Sequence, residues 1–295
     1  MKLIIASAIA IAAVAGPAFA KSGPEVEIRH AVARVAVVVE DRNDIAVEVE
    51  QGSSGLPAVQ VTRDGANVRI DGGLGGRRGL FGRGDGLRNC RSGPDNARTP
   101  GEGASVEVRN LGRVNLADAP LIVIRTPRNV NVDASGAVFG SVGRGAASIE
   151  LGNSGCGDWN VANTDGRMSL GVAGSGDIRA GTSSELEASI SGAGSITAGA
   201  TRGLDISVSG AGDVVVARVD GPTEISLAGA GDVSVRAGTA PTLSINVAGV
   251  GDVDFDGVAG DVDVSLAGVG DVNIARATGS VSRSVAGLGD IHIGT

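Results

Sequence analysis

The chain has 295 residues, 42% of them hydrophobic, with 49 glycines, only 2% aromatics and no tyrosine. That hydrophobic content excludes a disordered chain, and the scarcity of rings excludes a core built on large aromatics, so stacked aliphatic side chains must fill it. The formal net charge is −8, and from Leu151 onward 7 arginines stand against 17 acidic residues; such a surface repels phosphate backbones, which argues against nucleic acid and for cations or basic partners.

Residues 1–20 read as a secretory signal peptide. Lys2 supplies the positive start, residues 3–14 are an apolar run, and Ala18-Phe19-Ala20 is a small-x-small cleavage site before Lys21. The run is short for a membrane span, and no later stretch is apolar enough for a spanning helix, so no transmembrane segment is expected after cleavage. The expected location is the periplasm or the cell surface.

Residues 21–134 read as an irregular N-terminal β region. Strand-like runs lie at 35–39, 45–49, 59–61 and 68–70, and Arg63 to Asn67 form a polar turn. Residues 72–103 are rich in Gly and Arg and read as a long loop or insertion. Strand pattern returns at 106–108 and 121–124. The two cysteines, Cys90 and Cys156, can pair in an exported chain, and a bridge would tie that loop to an early coil; two separate thiols are the alternative.

From residue 135 to 295 a repeat dominates. Gly-x-Gly-Asp recurs at 155–158, 174–177, 210–213, 229–232, 249–252, 268–271 and 287–290, and the copy at 192–195 carries Ser195 in place of Asp. The spacing is about 19 residues, and Gly136 marks an eroded earlier copy. Around each corner the apolar residues fall on every second position, as in Val262, Val264 and Leu266, then Val272 and Ile274. A unit this short cannot bury its apolar face alone, but stacked units can. The expected fold is therefore all-β, a right-handed parallel β-helix or solenoid with coils of about 19 residues. Leu227, Val247, Leu266 and Val285 should form one inward column. Arg283 takes the inward place of Val264, which suits a terminal coil open to water.

The leader, the short strands, the 121–136 segment and the tandem Ser/Ala-Gly-x-Gly-Asp-Val copies resemble the head-GIN family of autotransporter-adhesin-like exported bacterial β-solenoids. The resemblance covers most of residues 26–295. It implies an envelope or surface location and supplies no catalytic residues. The sequence departs from an autotransporter in carrying no C-terminal translocator barrel pattern.

Asp158, Asp177, Asp213, Asp232, Asp252, Asp271 and Asp290 share one coil position, so they are the candidate metal ligands, with calcium as the possible cofactor. The competing and preferred role is a corner cap, each carboxylate accepting a backbone N–H, which Ser195 could also serve. A second acidic group comprises Asp252, Asp254, Asp256, Asp261 and Asp263. Catalytic patterns are absent from the sequence: His30 and His292 lie near opposite ends, and the mature chain carries only Phe81, Phe139, Phe255 and Trp159 as rings for sugar stacking. The Gly-x-Gly corners precede no helix and so are not nucleotide loops. Arg83-Gly84-Asp85 matches a cell-attachment tripeptide in a segment where Gly and Arg abound. The expected function is a non-catalytic envelope or surface protein that binds a protein or glycan, or that self-associates as a scaffold. A polysaccharide-active β-helix enzyme and a calcium-stabilised structural solenoid are the alternatives.

Overall fold

The computed structural model describes residues 23–75, 86–94 and 97–295. The leader expected at 1–20 lies outside them. The described chain is nearly all β and winds into a solenoid of about 9 turns at roughly 19-residue spacing.

One face of the stack is built from the first part of Asn129–Val142, then Ser148–Asn153, Arg167–Val172, Glu185–Ile190, Leu204–Val208, Thr223–Leu227, the end of Gly238–Val247, the end of Val253–Leu266, and Val281–Val285. All pair in parallel, each with its equivalent one coil away. A second face follows the glycine corner, through Trp159–Val161, Ile178–Ala180, Ile196–Thr201, Val214–Asp220 and Val233–Val235 to Ile291–Ile293. Hydrogen bonds thus run between coils, and alternate side chains point in and out.

The pairing register aligns the inward side chains into columns. One runs Val68, Val26, Val132, Leu151, Leu170, Ala188, Ile206, Ile225, Ile245, Val264. Each is at most 1% exposed. Burying one such aliphatic side chain contributes roughly 1.5–3 kcal/mol, which offsets the ordering of a glycine-rich backbone. Both ends of the column stop at arginine: Arg63 pairs with Val68 and Arg283 with Val264. The expected column of Leu227, Val247, Leu266 and Val285 is also present, and its last member is 49% exposed at the open end. Where a large ring must fit, its neighbour shrinks. Trp159, fully buried, stacks on Gly140, where any Cβ would overlap the indole.

The corner glycines are required chiefly by close approach. A Cβ on Gly174 would overlap the carbonyl oxygen of Gly155, and the same holds for Gly192 against Gly174 and Gly212 against Gly194. Positive φ, the other reason for glycine, applies at the second glycine only in the last three coils, for example +141° at Gly270.

The N-terminal residues enter the stack out of order. Val26–Val39 lies between Asn129–Val142 on one side and Asn67–Asp71 plus Leu121–Thr126 on the other, parallel to all three. That end then carries antiparallel strands, Ala46–Glu50 over 121–126 and Gln60–Asp64 over 67–71. Between residues 71 and 121 the chain leaves the solenoid and forms a small sheet of Leu87–Arg91, Ser105–Val108 and Gly112–Asn115. Residues 87–91, read from sequence as part of a loop, are a strand. Their polarity reflects one wet face, where Asn89 donates to Glu107, and a hydrophobic signal is therefore missing. The other face packs Val106, Val108 and Val114 onto Val32, Ala137 and Phe139 of the solenoid. Cys90 is bonded to Cys156 with Cα atoms 6.2 Å apart, joining this sheet to the first full corner.

If corner packing rather than turn conformation demands glycine, Gly212→Ala should lower stability by about 1–3 kcal/mol. Gly203→Ala, where a Cβ meets only the Glu185 side chain, should shift it by less than about 0.5 kcal/mol. Chemical denaturation of both variants checks this; equal effects would contradict it.

Candidate functional site

The corner aspartates form a ladder in two runs, from Asp158 to Ser195 and from Asp213 to Asp290, because Ser195 offers no carboxylate to Asp213. Within each run one carboxylate oxygen accepts the backbone N–H of the next coil's equivalent residue. Asp158 accepts from Asp177 at 3.1 Å, Asp177 from Ser195 at 2.9 Å, Asp213 from Asp232 at 2.9 Å, Asp232 from Asp252 at 2.9 Å, Asp252 from Asp271 at 2.8 Å and Asp271 from Asp290 at 2.9 Å. The donor thus lies one coil further on, not within the same turn. Ser195 also donates its hydroxyl to Asp177 at 2.8 Å. Each of these six carboxylates spends one oxygen on the backbone and so stitches two corners together.

The second acidic group is dispersed. Asp252 sits at a corner, Asp254 accepts from Asn273 on the second face, and Asp261 accepts from both the N–H and the hydroxyl of Ser280. Those two bonds hold the Asp261 carboxyl below the usual range, the hydroxyl contributing most. Asp263 points outward on the first face. Among the described residues no group of three or more His, Cys, Asp or Glu side chains is placed to hold a metal ion.

His30 lies 3.6 Å from Asp71 near the capped end, while His292 is on the last strand, so the structure does not bring them together. Of the rings, Phe139, Phe255 and Trp159 are buried in the core and offer no sugar-stacking platform. Phe81 and Arg83-Gly84-Asp85 lie outside the described residues. Asn153, which sequence reading passed over, points inward where the other coils carry Ala, Val, Ile or Leu. Its amide donates to the Gly157 carbonyl at 2.6 Å and its oxygen accepts from the Gly155 N–H at 3.3 Å. It braces the first full corner from inside, and its offset of 19 residues from Val172 is the signal that could have revealed it.

The most distinctive outward surface is the flank of the first face. Two outward columns run side by side along the rod. One reads Glu150, Ser169, Glu187, Asp205, Glu224, Ser244, Asp263, Ser282. The other, two residues on, reads Gly152, Gly171, Ser189, Ser207, Ser226, Asn246, Ser265, Ser284. Parallel pairing spaces neighbours about 4.8 Å apart, so Glu187, Asp205 and Glu224 are three carboxylates in unbroken succession. At one end Arg167 donates to Glu187 at 2.6 Å, and Ser169 donates to the same oxygen at 3.1 Å. Asp205, in the middle, has its pKa raised. Desolvation by the crowded surround is the largest cause, followed by repulsion from Glu224 and Glu187, with Arg167 opposing. These side chains line a shallow open groove of about 670 Å³ that continues past Asp261 and Asp263.

Among the described residues no helix is long and apolar enough to cross a membrane. A search of curated proteins found none similar to the chain. A family model described as "Putative auto-transporter adhesin, head GIN domain" matches residues 31–218 and 222–294. Those matches take in both the capped N-terminal coils and the glycine-cornered repeats, and the chain belongs to the head GIN family.

Proposed function

We propose that the protein is a non-catalytic, exported binding scaffold of the cell envelope, whose acidic flank engages a protein or glycan carrying positive charge. The family supports an adhesin-like surface role. The leader at residues 1–20 supports export. The observation that carries the reading is the Glu187–Asp205–Glu224 succession, with Asp205 held above its ordinary carboxylate range. Like charges stacked at this spacing disfavour one another in the free protein, and a cationic partner relieves that repulsion when it binds. The neighbouring Ser and Asn column offers hydroxyls and amides to the same partner. The corner aspartates belong to the scaffold, because six of the seven tie one coil's backbone to the next.

The probes that test this are poly-lysine and chitosan oligosaccharide, applied to the mature chain at low and at physiological salt. Binding of at least one should be salt-dependent, and the triple variant E187Q/D205N/E224Q should lose it at least tenfold while keeping its melting transition. Failure of both probes to bind, or equal binding by the variant, would sink the reading.

A pH dependence follows from the same residue. An aspartate whose folded pKa lies above its unfolded value destabilises the fold while ionised in both states. Asp205→Asn should therefore raise the melting temperature at pH 7. The gain should fade as pH falls through the raised folded value and vanish below the ordinary value of 3.8. A gain that persists unchanged at pH 3 would contradict this origin.

A further inference from the structure

Both ends of the solenoid present edge strands. At the N-terminal end the antiparallel strands at 46–50 and 60–64 each pair on one side only. At the other end Val281–Val285 pairs only with 262–266, and Ile291–Ile293 only with 272–274. Among the described residues this row of strand backbone has no neighbour on its outer side. Every residue of Val281–Val285 is exposed. Val281 is 45% and Val285 49% exposed, and both stand in inward columns that are buried one coil earlier, at Val262 and Leu266. Beside them the corner residues Val250, Val269 and Leu288 stack into an exposed apolar ridge that ends at the same edge. Between Val281 and Val285 stands Arg283, whose side chain makes no hydrogen bond or ion pair with any described residue.

The geometry points to this edge as a second binding surface, one that takes an extended peptide strand with an acidic residue flanked at i−2 and i+2 by apolar ones. Strand addition satisfies the free backbone groups. The parity of the edge then sets what lies over each inward position: apolar over Val281 and Val285, a carboxylate over Arg283. The charge selects the occupant. Covering Arg283 with an apolar or basic side chain would strip water from an unpaired guanidinium, whereas a carboxylate pairs with it as the edge is desolvated. The same argument disfavours a second copy. Its two ends present Arg63 and Arg283 in this very column, so end-to-end stacking in either sense sets arginine on arginine. Arg63, unlike Arg283, is already engaged, donating to the Ile45 carbonyl at 2.8 Å.

The test uses the mature chain and two fluorescein-labelled nonapeptides with the core Val-Ser-Glu-Ser-Val or Val-Ser-Lys-Ser-Val, measured by anisotropy. The Glu peptide should bind at least fivefold tighter than the Lys peptide and should slow amide exchange across residues 281–285. Arg283→Glu should reverse the preference. The flank variant E187Q/D205N/E224Q should bind the Glu peptide as the wild type does, which separates this surface from the acidic flank. Equal affinity of the wild type for both peptides, or no binding of either at millimolar concentration, overturns the proposal. So does concentration-dependent self-assembly through 281–285, which would make a second copy the occupant. The wild-type comparison stands alone if the charge reversal unfolds the last coil.

Discussion

At every Gly-x-Gly corner the backbone of one coil rests against a carbonyl oxygen of the coil before it, too close for any side chain to intervene. Backbone pairing at about 4.8 Å sets the pitch of the stack, and at that pitch the corner admits only glycine. It places six corner aspartates within reach of the next coil's N–H, and the bonds of 2.8–3.1 Å that result lock corner to corner. With the pitch fixed, parallel pairing holds its register through coil after coil, and the inward columns follow. A side chain at one corner would push two coils apart and weaken every pairing on both sides of it, because each coil contacts only its neighbours.

A fold held together this way leaves its outward positions free. The flank needs nothing of Glu187, Asp205 or Glu224 for packing; Ser169, Ser244 and Ser282 occupy the same column elsewhere. Asp205 therefore carries a cost, its pKa raised first by desolvation and then by Glu224 and Glu187, that the architecture does not require. That cost is the physical basis for assigning the flank a role in binding. The buried rings and the separated histidines give no comparable basis for chemistry.

The repeat made much of this legible in advance. Alternating parity around each corner marks which residues face the core, and the 19-residue offset from Val264 marks Arg283 as a charge at an inward position. The rest was hidden for definite reasons. Val26–Val39 pairs with residues 106 positions further on in Val132 to Ala134, outside any period, so its insertion between later coils leaves no local mark. Leu87–Arg91 lacks apolar alternation because its strand is half-wet and is held partly by Cys90. The corner carboxylates announce a hydrogen-bonding role by position, but only the stacked geometry tells that the donor belongs to the next coil. The acidic flank was diluted in the sequence, since its members recur once per coil among other charges and converge only when register is known.

The central claim, that register is held coil on coil, is tested most directly by engineered cross-links along the serine column of the flank. Ser207 and Ser226 are paired neighbours in adjacent coils, and Asn246 follows one coil further. A double variant with cysteines at 207 and 226 should oxidise to a disulfide in the folded protein, since adjacent parallel strands bring the two Cα atoms within bridging range. Cysteines at 207 and 246, about twice that spacing apart, should remain free thiols under the same conditions. Efficient bridging of 207 to 246, or none between 207 and 226, would contradict the stacking from which the columns, the flank and the open edge all follow.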